Sequence, residues 1–145
     1  MERTYDIRTN SGYLLLRAAQ QYRLEIAKTL QPHDVTPTQF FIMMSIWYQG
    51  KHTAPPTQAQ VARYAAVDVN VTSQVVRKLI SRGLIKRSVK PDDSRAYVLL
   101  LTSKGESLAV ATGGLAEHFH HSFFGSTNQQ HLHTELLKLI GPEEK

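Results

Sequence analysis

The chain has 145 residues, 41% hydrophobic and 20% charged, which suits a single folded domain and excludes an intrinsically disordered chain. Lys and Arg number 17 against 12 Asp and Glu, so the net charge is +5 with neutral histidines, a balance that favours an anionic partner. There is no cysteine, which excludes a disulfide framework, a Cys-ligated zinc, a Cys nucleophile and a thiol redox sensor.

The first ten residues lack the apolar stretch of a secretory signal. The longest apolar runs, at 13–16 and 40–44, fall far short of the ~18 residues of a membrane span. A soluble cytoplasmic protein with no membrane partner is expected. Leu14, Ala18, Tyr22, Ile26 and Leu30 recur every four residues beside Leu15 and Ala19, which predicts an amphipathic helix ended by Gln31-Pro32. Thr36-Pro37-Thr38-Gln39 opens a second helix: Thr36 caps, Pro37 suits the first helical position, and Gln39 closes a capping box. It is expected over 37–48, carrying Phe40, Phe41, Met44 and Trp47 as core, with Gly50 as its stop.

Pro55-Pro56 marks a loop, and Thr57-Gln58-Ala59-Gln60 repeats the capping logic for a short helix reaching Tyr64. Asp68-Val69-Asn70 is a turn with two candidate caps. A helix over 70–82 follows, with Thr72, Val75, Val76, Leu79 and Ile80 as its inward stripe and Gly83 beyond its end. The period then changes. Residues 84–90 and 95–101 read as strands around the Pro91-Asp92-Asp93-Ser94 turn, with Val98 and Leu100 on one face and Tyr97, Leu99 and Leu101 on the other. Thr102 or Ser103 caps the next helix, Ser103 with Glu106 as a capping box, and its stripe is Leu108, Ala111, Leu115 and Phe119. Gly125 breaks it. Thr127 and Gln130 start a last helix with Leu132, Leu136, Leu139 and Ile140.

The fold class is therefore mainly α with a small β-hairpin wing: a winged helix-turn-helix flanked by N- and C-terminal helices. Residues 77–104 hold eight Lys and Arg against two Asp, so the whole positive excess lies on the second helix of the pair and the wing. One sign of charge on one element is the footprint of a phosphate-binding surface. A winged unit of about 65 residues is too small to cover the apolar faces of the terminal helices, which predicts a dimerisation layer. One domain, 1–145, is expected, with 1–34 and 103–145 as dimerisation helices and 35–102 as the DNA-binding region.

Arg82-Gly83-Leu84-Ile85-Lys86-Arg87, then Asp92-Asp93-Ser94-Arg95, then Leu101-Thr102-Ser103-Lys104-Gly105, resembles the signature of the MarR family. Thr36-Pro37-Thr38-Gln39-Phe40 is similar to the opening of that family's winged region. The resemblance implies a homodimeric transcriptional regulator, commonly a repressor, on a pseudo-palindromic operator in double-stranded DNA. It further implies loss of DNA affinity when a small, often aromatic anionic, effector binds between the layers. Tyr13, Arg17, Phe40, Met44 and Trp47 are the effector-site candidates on that architecture.

For DNA, the outward positions of the recognition helix are Asn70, Ser73, Gln74, Arg77 and Lys78, with Thr72 near the helix start. Asn and Gln pair bidentately with adenine, Arg with guanine. Arg77 stands where the family usually carries an acid. Arg95 resembles the family's minor-groove arginine, with Asp93 orienting it through a charge-assisted hydrogen bond. Arg87 and Lys90 suit phosphates, and Thr57 caps a helix that could hold one.

His118 and His121 stand at i and i+3, a spacing that can share a metal, with His120, His131 and His133 close in sequence. The alternative function is accordingly a histidine-based metal-binding protein or a metal-responsive regulator. No catalytic set stands out, and no cofactor is implied.

Overall fold

The computed structural model describes residues 6–141. The outer ends of the two expected dimerisation segments, 1–5 and 142–145, lie outside the described residues. A short 3-10 turn, Ile7–Thr9, leads to α1 (Ser11–Leu30), where the Asn10 side chain accepts the Tyr13 N–H. Pro32 prevents continuation, and the chain leaves through a second 3-10 turn with Asp34 at φ 54°. Only Ile26 and Leu30 of the expected stripe are buried. Leu14, Leu15, Leu16 and Leu24 are exposed, Leu16 at 72%.

Helix α2 (Pro37–His52) starts at the expected capping box, with both Thr36–Gln39 bonds at 3.1 Å. It runs through Gly50 instead of stopping before it. A glycine in a helix interior costs only about 1 kcal/mol, and the α2 packing outweighs that. Helix α3 (Gln58–Tyr64) carries the second capping box at Thr57. Helix α4 (Val69–Ser81) is capped by Asp68, and Gly83 at φ 72° turns the chain out of it.

The hairpin pairs β1 (Ile85–Lys90) with β2 (Asp93–Leu101), antiparallel, from Ile85↔Leu101 to Val89↔Tyr97. The ladder then jumps to Lys90↔Asp93, so residues 94–96 have no partner across the hairpin. The Leu99 N–H donates to the Pro56 carbonyl at 2.8 Å, which ties the wing to the α2–α3 connection. Val98 and Leu99 point to opposite faces yet both are buried, because the base of the hairpin is covered on both sides.

Helix α5 (Ser103–Phe123) is capped by Thr102, not Ser103: the Thr102 hydroxyl accepts the Gly105 N–H at 3.0 Å. Its buried positions are Gly105, Ala109, Thr112 and Ala116, a face rotated from the expected leucine stripe, with Leu108 and Phe119 half-buried at its edge and Ala111 and Leu115 exposed. Small residues let α5 approach its neighbours closely. Helix α6 (Gln129–Ile140) is capped by Asn128 and not Thr127, whose hydroxyl donates to the Phe124 carbonyl at 2.7 Å. Its Leu137, Leu139 and Ile140 are exposed, Ile140 at 75%.

The buried residues form two clusters. One lies inside the winged region around Ile42, Ile46, Val76, Leu79, Ile85 and Leu99. The other joins the end of α1 to α2 and α5 through Ile26, Leu30, Val35, Phe40 and Ala116. Met44 and Leu108 pack against both, so the two cores are continuous through α2 and α5. No helix among the described residues is long and apolar enough to cross a membrane.

Candidate nucleic-acid interface

Helix α4 is pinned by Thr72, Val76 and Leu79, which face the core and are fully buried. That fixes the opposite face. Asn70, Gln74, Arg77 and Lys78 are exposed, and Ser73 is half-buried. The Arg77 guanidinium folds back along the helix, with Nε 3.4 Å from the Ser73 carbonyl and Nη2 3.5 Å from its hydroxyl. Thr72 is the correction to the expected set. Its side chain is inside the protein, and its Oγ1 has no hydrogen-bond partner. The N-terminus of α4 is also taken, because the Asp68 carboxylate accepts the N–H groups of Asn70 and Val71 at 2.8 and 3.3 Å. Asp68 thus occupies the positions at which an anion would meet the helix end.

On the wing, Arg87 and Arg95 are exposed and Lys90 is half-buried, with its ammonium 3.9 Å from the Asp92 carboxylate. Asp93 acts on Arg95 differently from the expectation. Its carboxylate accepts the backbone N–H of Arg95 at 3.0 Å, not the guanidinium. Arg95 lies in the middle of the unpaired 94–96 segment, and a bulge of this kind re-aims a side chain and raises local twist. Asp93 thus fixes the backbone from which Arg95 projects, and the guanidinium stays exposed. Thr57 is spent on capping: its hydroxyl accepts the Gln60 N–H and donates to Oε1 of Gln60, both at 3.3 Å.

One neighbour of this face enters the sequence reading only through its charge and its place in the family signature. Arg82, just past α4, donates from Nη1 to Oε1 of Gln39 at 3.3 Å and approaches Asp34 at 3.6 Å. Its own carbonyl accepts Lys104 Nζ at 3.1 Å, and the Gly83 carbonyl accepts the Thr102 hydroxyl at 2.6 Å. The end of α4 is therefore tied to the starts of both α2 and α5.

The effector candidates are spread along the fold. The Arg17 guanidinium lies 5.8 Å from the centre of the Tyr13 ring on exposed α1. Phe40 is buried against Phe41 at 5.3 Å, and Met44 bridges the two cores. Trp47 lines a cavity of about 140 Å³ with Ile46, Pro55, Leu99 and Leu101, beside the Lys51–Glu106 pair at 4.0 Å. Near the end of α5, Tyr22 packs against Phe119 and Phe123 at 5.3 and 5.2 Å, and burial pushes its hydroxyl pKa up. His118 and His121 are exposed on α5, and His131 lies 3.6 Å from Glu135. Among the described residues no group of three or more His, Asp or Glu is placed to hold a metal ion, so the metal reading has no support.

A two-helix unit whose second helix shows a polar face, followed by a basic hairpin, defines a winged helix-turn-helix protein. The model of the MarR family matches residues 35–97, from the start of the winged region into the wing. The HTH-type transcriptional regulator YdcH of Bacillus subtilis is 32% identical over 118 residues, covering 81% of this chain and 80% of that one. The HTH-type transcriptional repressor NicR of Pseudomonas putida is 27% identical over 124 residues, covering 86% and 76%. The solved structure of BpsR from Bordetella bronchiseptica, whose DNA binding is regulated by 6-hydroxynicotinic acid, superposes with a TM-score of 0.85 at 25% identity, covering 97% of this chain and 99% of that one. The chain belongs to the MarR family of transcriptional regulators.

Proposed function

We propose that this regulator is a cytoplasmic homodimeric repressor that binds a pseudo-palindromic site in double-stranded DNA and releases it when a small aromatic or anionic effector binds. In this reading residues 1–34 and 103–145 form the dimer layer, and residues 35–102 read the DNA. The observation that carries it is the exposed row Asn70, Gln74, Arg77 and Lys78 on α4 together with the exposed Arg95 on the irregular part of the wing. Asn70 and Gln74 suit adenine edges in the major groove. Arg95 suits a narrow minor groove, while Arg87, Lys90 and Lys78 suit phosphates. The bare leucines of α1 and the bare end of α6 supply the apolar area that a second copy would cover. Effector release is supported by the tie from Arg82 and Gly83 to α2 and α5. A ligand that favours one placement of those helices alters the spacing of the two recognition helices, through its differential affinity for the two states. An acidic heteroaromatic regulates the similar BpsR.

The test is binding of the purified protein to the DNA upstream of its own gene, by fluorescence anisotropy across a salt series, with wild type and Arg95→Ala. Nanomolar, sequence-selective binding is expected, with log K falling by about 0.9 per neutralised phosphate for each decade of salt, and Arg95→Ala weakening it. Weak binding that ignores sequence and is unchanged by Arg95→Ala overturns the reading. Sedimentation of the free protein as a monomer at micromolar concentration overturns the homodimer.

A further inference from the structure

Val89 and Tyr97 face each other across the hairpin at the last regular pair before the bulge. Both are apolar, and both are bare: Val89 is 49% exposed and Tyr97 57%. Directly opposed residues share a face of the hairpin, and so does Arg87, two positions before Val89. Beyond the pair, toward the tip, lie Lys90 and the projecting Arg95. A cross-strand aromatic–aliphatic pair stiffens a hairpin, but this one leaves about half of its surface in water. The arrangement is an uncharged ledge between cations on an element where positive charge is concentrated.

We propose that the Val89–Tyr97 ledge is a DNA contact in its own right, with the Tyr97 ring lying against the deoxyribose of the backbone that Arg87 and Arg95 flank. This rests on the DNA-binding reading above and adds an apolar contact to it. The occupant follows from the surroundings. Arg87, Lys90 and Arg95 draw a polyanion to this edge, and a sugar is the apolar part of a nucleic-acid backbone. The contact releases no counterion, so its loss leaves a signature different from the loss of an arginine.

Tyr97→Thr removes the ring and keeps a residue that favours strands. It should weaken operator binding about tenfold, a loss in line with uncovering part of an aromatic ring. The dependence of log K on log salt should keep the wild-type slope, whereas Arg95→Ala should flatten it. Tyr97→Phe should bind as wild type. A second measurement does not depend on affinity. The chain has no cysteine, so Tyr97→Cys gives a unique position for a thiol-linked photocrosslinker. It should attach to the operator strand, as should Arg95→Cys, while Thr134→Cys on the exposed face of α6 should not.

Wild-type affinity from Tyr97→Thr, or crosslinking from Arg95→Cys without any from Tyr97→Cys, overturns the ledge and leaves the DNA reading intact. Wild-type protein that fails to bind DNA overturns both. Amide hydrogen exchange across residues 85–101 of each variant separates lost contact from a lost hairpin.

Discussion

Gly105 sits directly beneath the carbonyl of Leu84. A Cβ on residue 105 would stand 3.0 Å from the Leu84 carbonyl carbon and closer still to its oxygen. That carbonyl is not free to move, because it accepts the Thr102 N–H at 3.0 Å. This contact is the physical content of the Leu-Thr-x-x-Gly sequence at the wing-to-α5 junction: threonine caps the helix, and glycine lets the capped end press on the start of β1. Gly105→Ala should therefore destabilise the fold by about 2–3 kcal/mol, read from chemical denaturation. Gly50→Ala is the contrasting case. Nothing lies within 4 Å of a Cβ built there, and the residue is helical. It should stabilise by about 0.5–1 kcal/mol. Equal effects of the two would contradict the geometry.

Thr72 carries a hydroxyl that is fully buried and unpaired. Leaving such a group without a partner costs about 1–3 kcal/mol, and a valine has nearly its shape. Thr72→Val should raise the denaturation midpoint and leave DNA affinity at the wild-type value. A drop in affinity at unchanged stability would return Thr72 to the interface.

Arg82 has two partners of different worth. Its bond to Gln39 is sheltered, since Gln39 is only 5% exposed and its side chain also closes the α2 capping box. Its ion pair with Asp34 is open to solvent, the Asp34 side chain being 99% exposed. An exposed pair adds little. Asp34→Asn, which still tolerates a positive φ, should change stability by less than about 0.5 kcal/mol. Arg82→Ala should cost about 1 kcal/mol, through the lost bond to buried Gln39. Equal losses from the two variants would show that the ion pair dominates instead.

Tyr22 gives a pH dependence at the alkaline end. Burial among Phe119, Phe123 and Phe124 raises its pKa above the ordinary 10.0, so the folded state holds the phenol proton more firmly than the unfolded state. The stability this represents is fully present below pH 10 and is lost as pH rises through the folded value. Thermal midpoints of wild type should thus fall above pH 10 more steeply than those of Tyr22→Phe. Identical slopes would mean that the ring is solvated when folded.

Much of the fold was legible because its signals are local. Thr36 and Thr57 each stand three residues before a glutamine, and both capping boxes form. Gly83 follows α4 in the left-handed conformation that its position past the helix suggests. The misreadings came where long-range packing decides. Gly50 looked like a stop, yet the surroundings of α2 carry the helix through it. Leucines looked like the inner stripe of α5, yet close approach to Leu84, α1 and α2 selects the glycine, alanine and threonine face.

The candidate site divides in the same way. The amphipathic period of α4 and the charge of residues 77–104 single out, from sequence alone, one helix and one hairpin as the candidate surface for a polyanion. Sequence also settles what is excluded, since a chain without cysteine has no thiol chemistry. Tertiary structure alone decided the aim of each side chain. It folded Arg77 onto Ser73, used Asp93 to hold a backbone N–H and set Arg95 on a bulge. It also tied Arg82 to Gln39, 43 positions away. Period and charge are properties of neighbours along the chain. Burial, bulges and clamps depend on which distant atoms compete for the same space and the same hydrogen bonds, and only the folded chain resolves that competition.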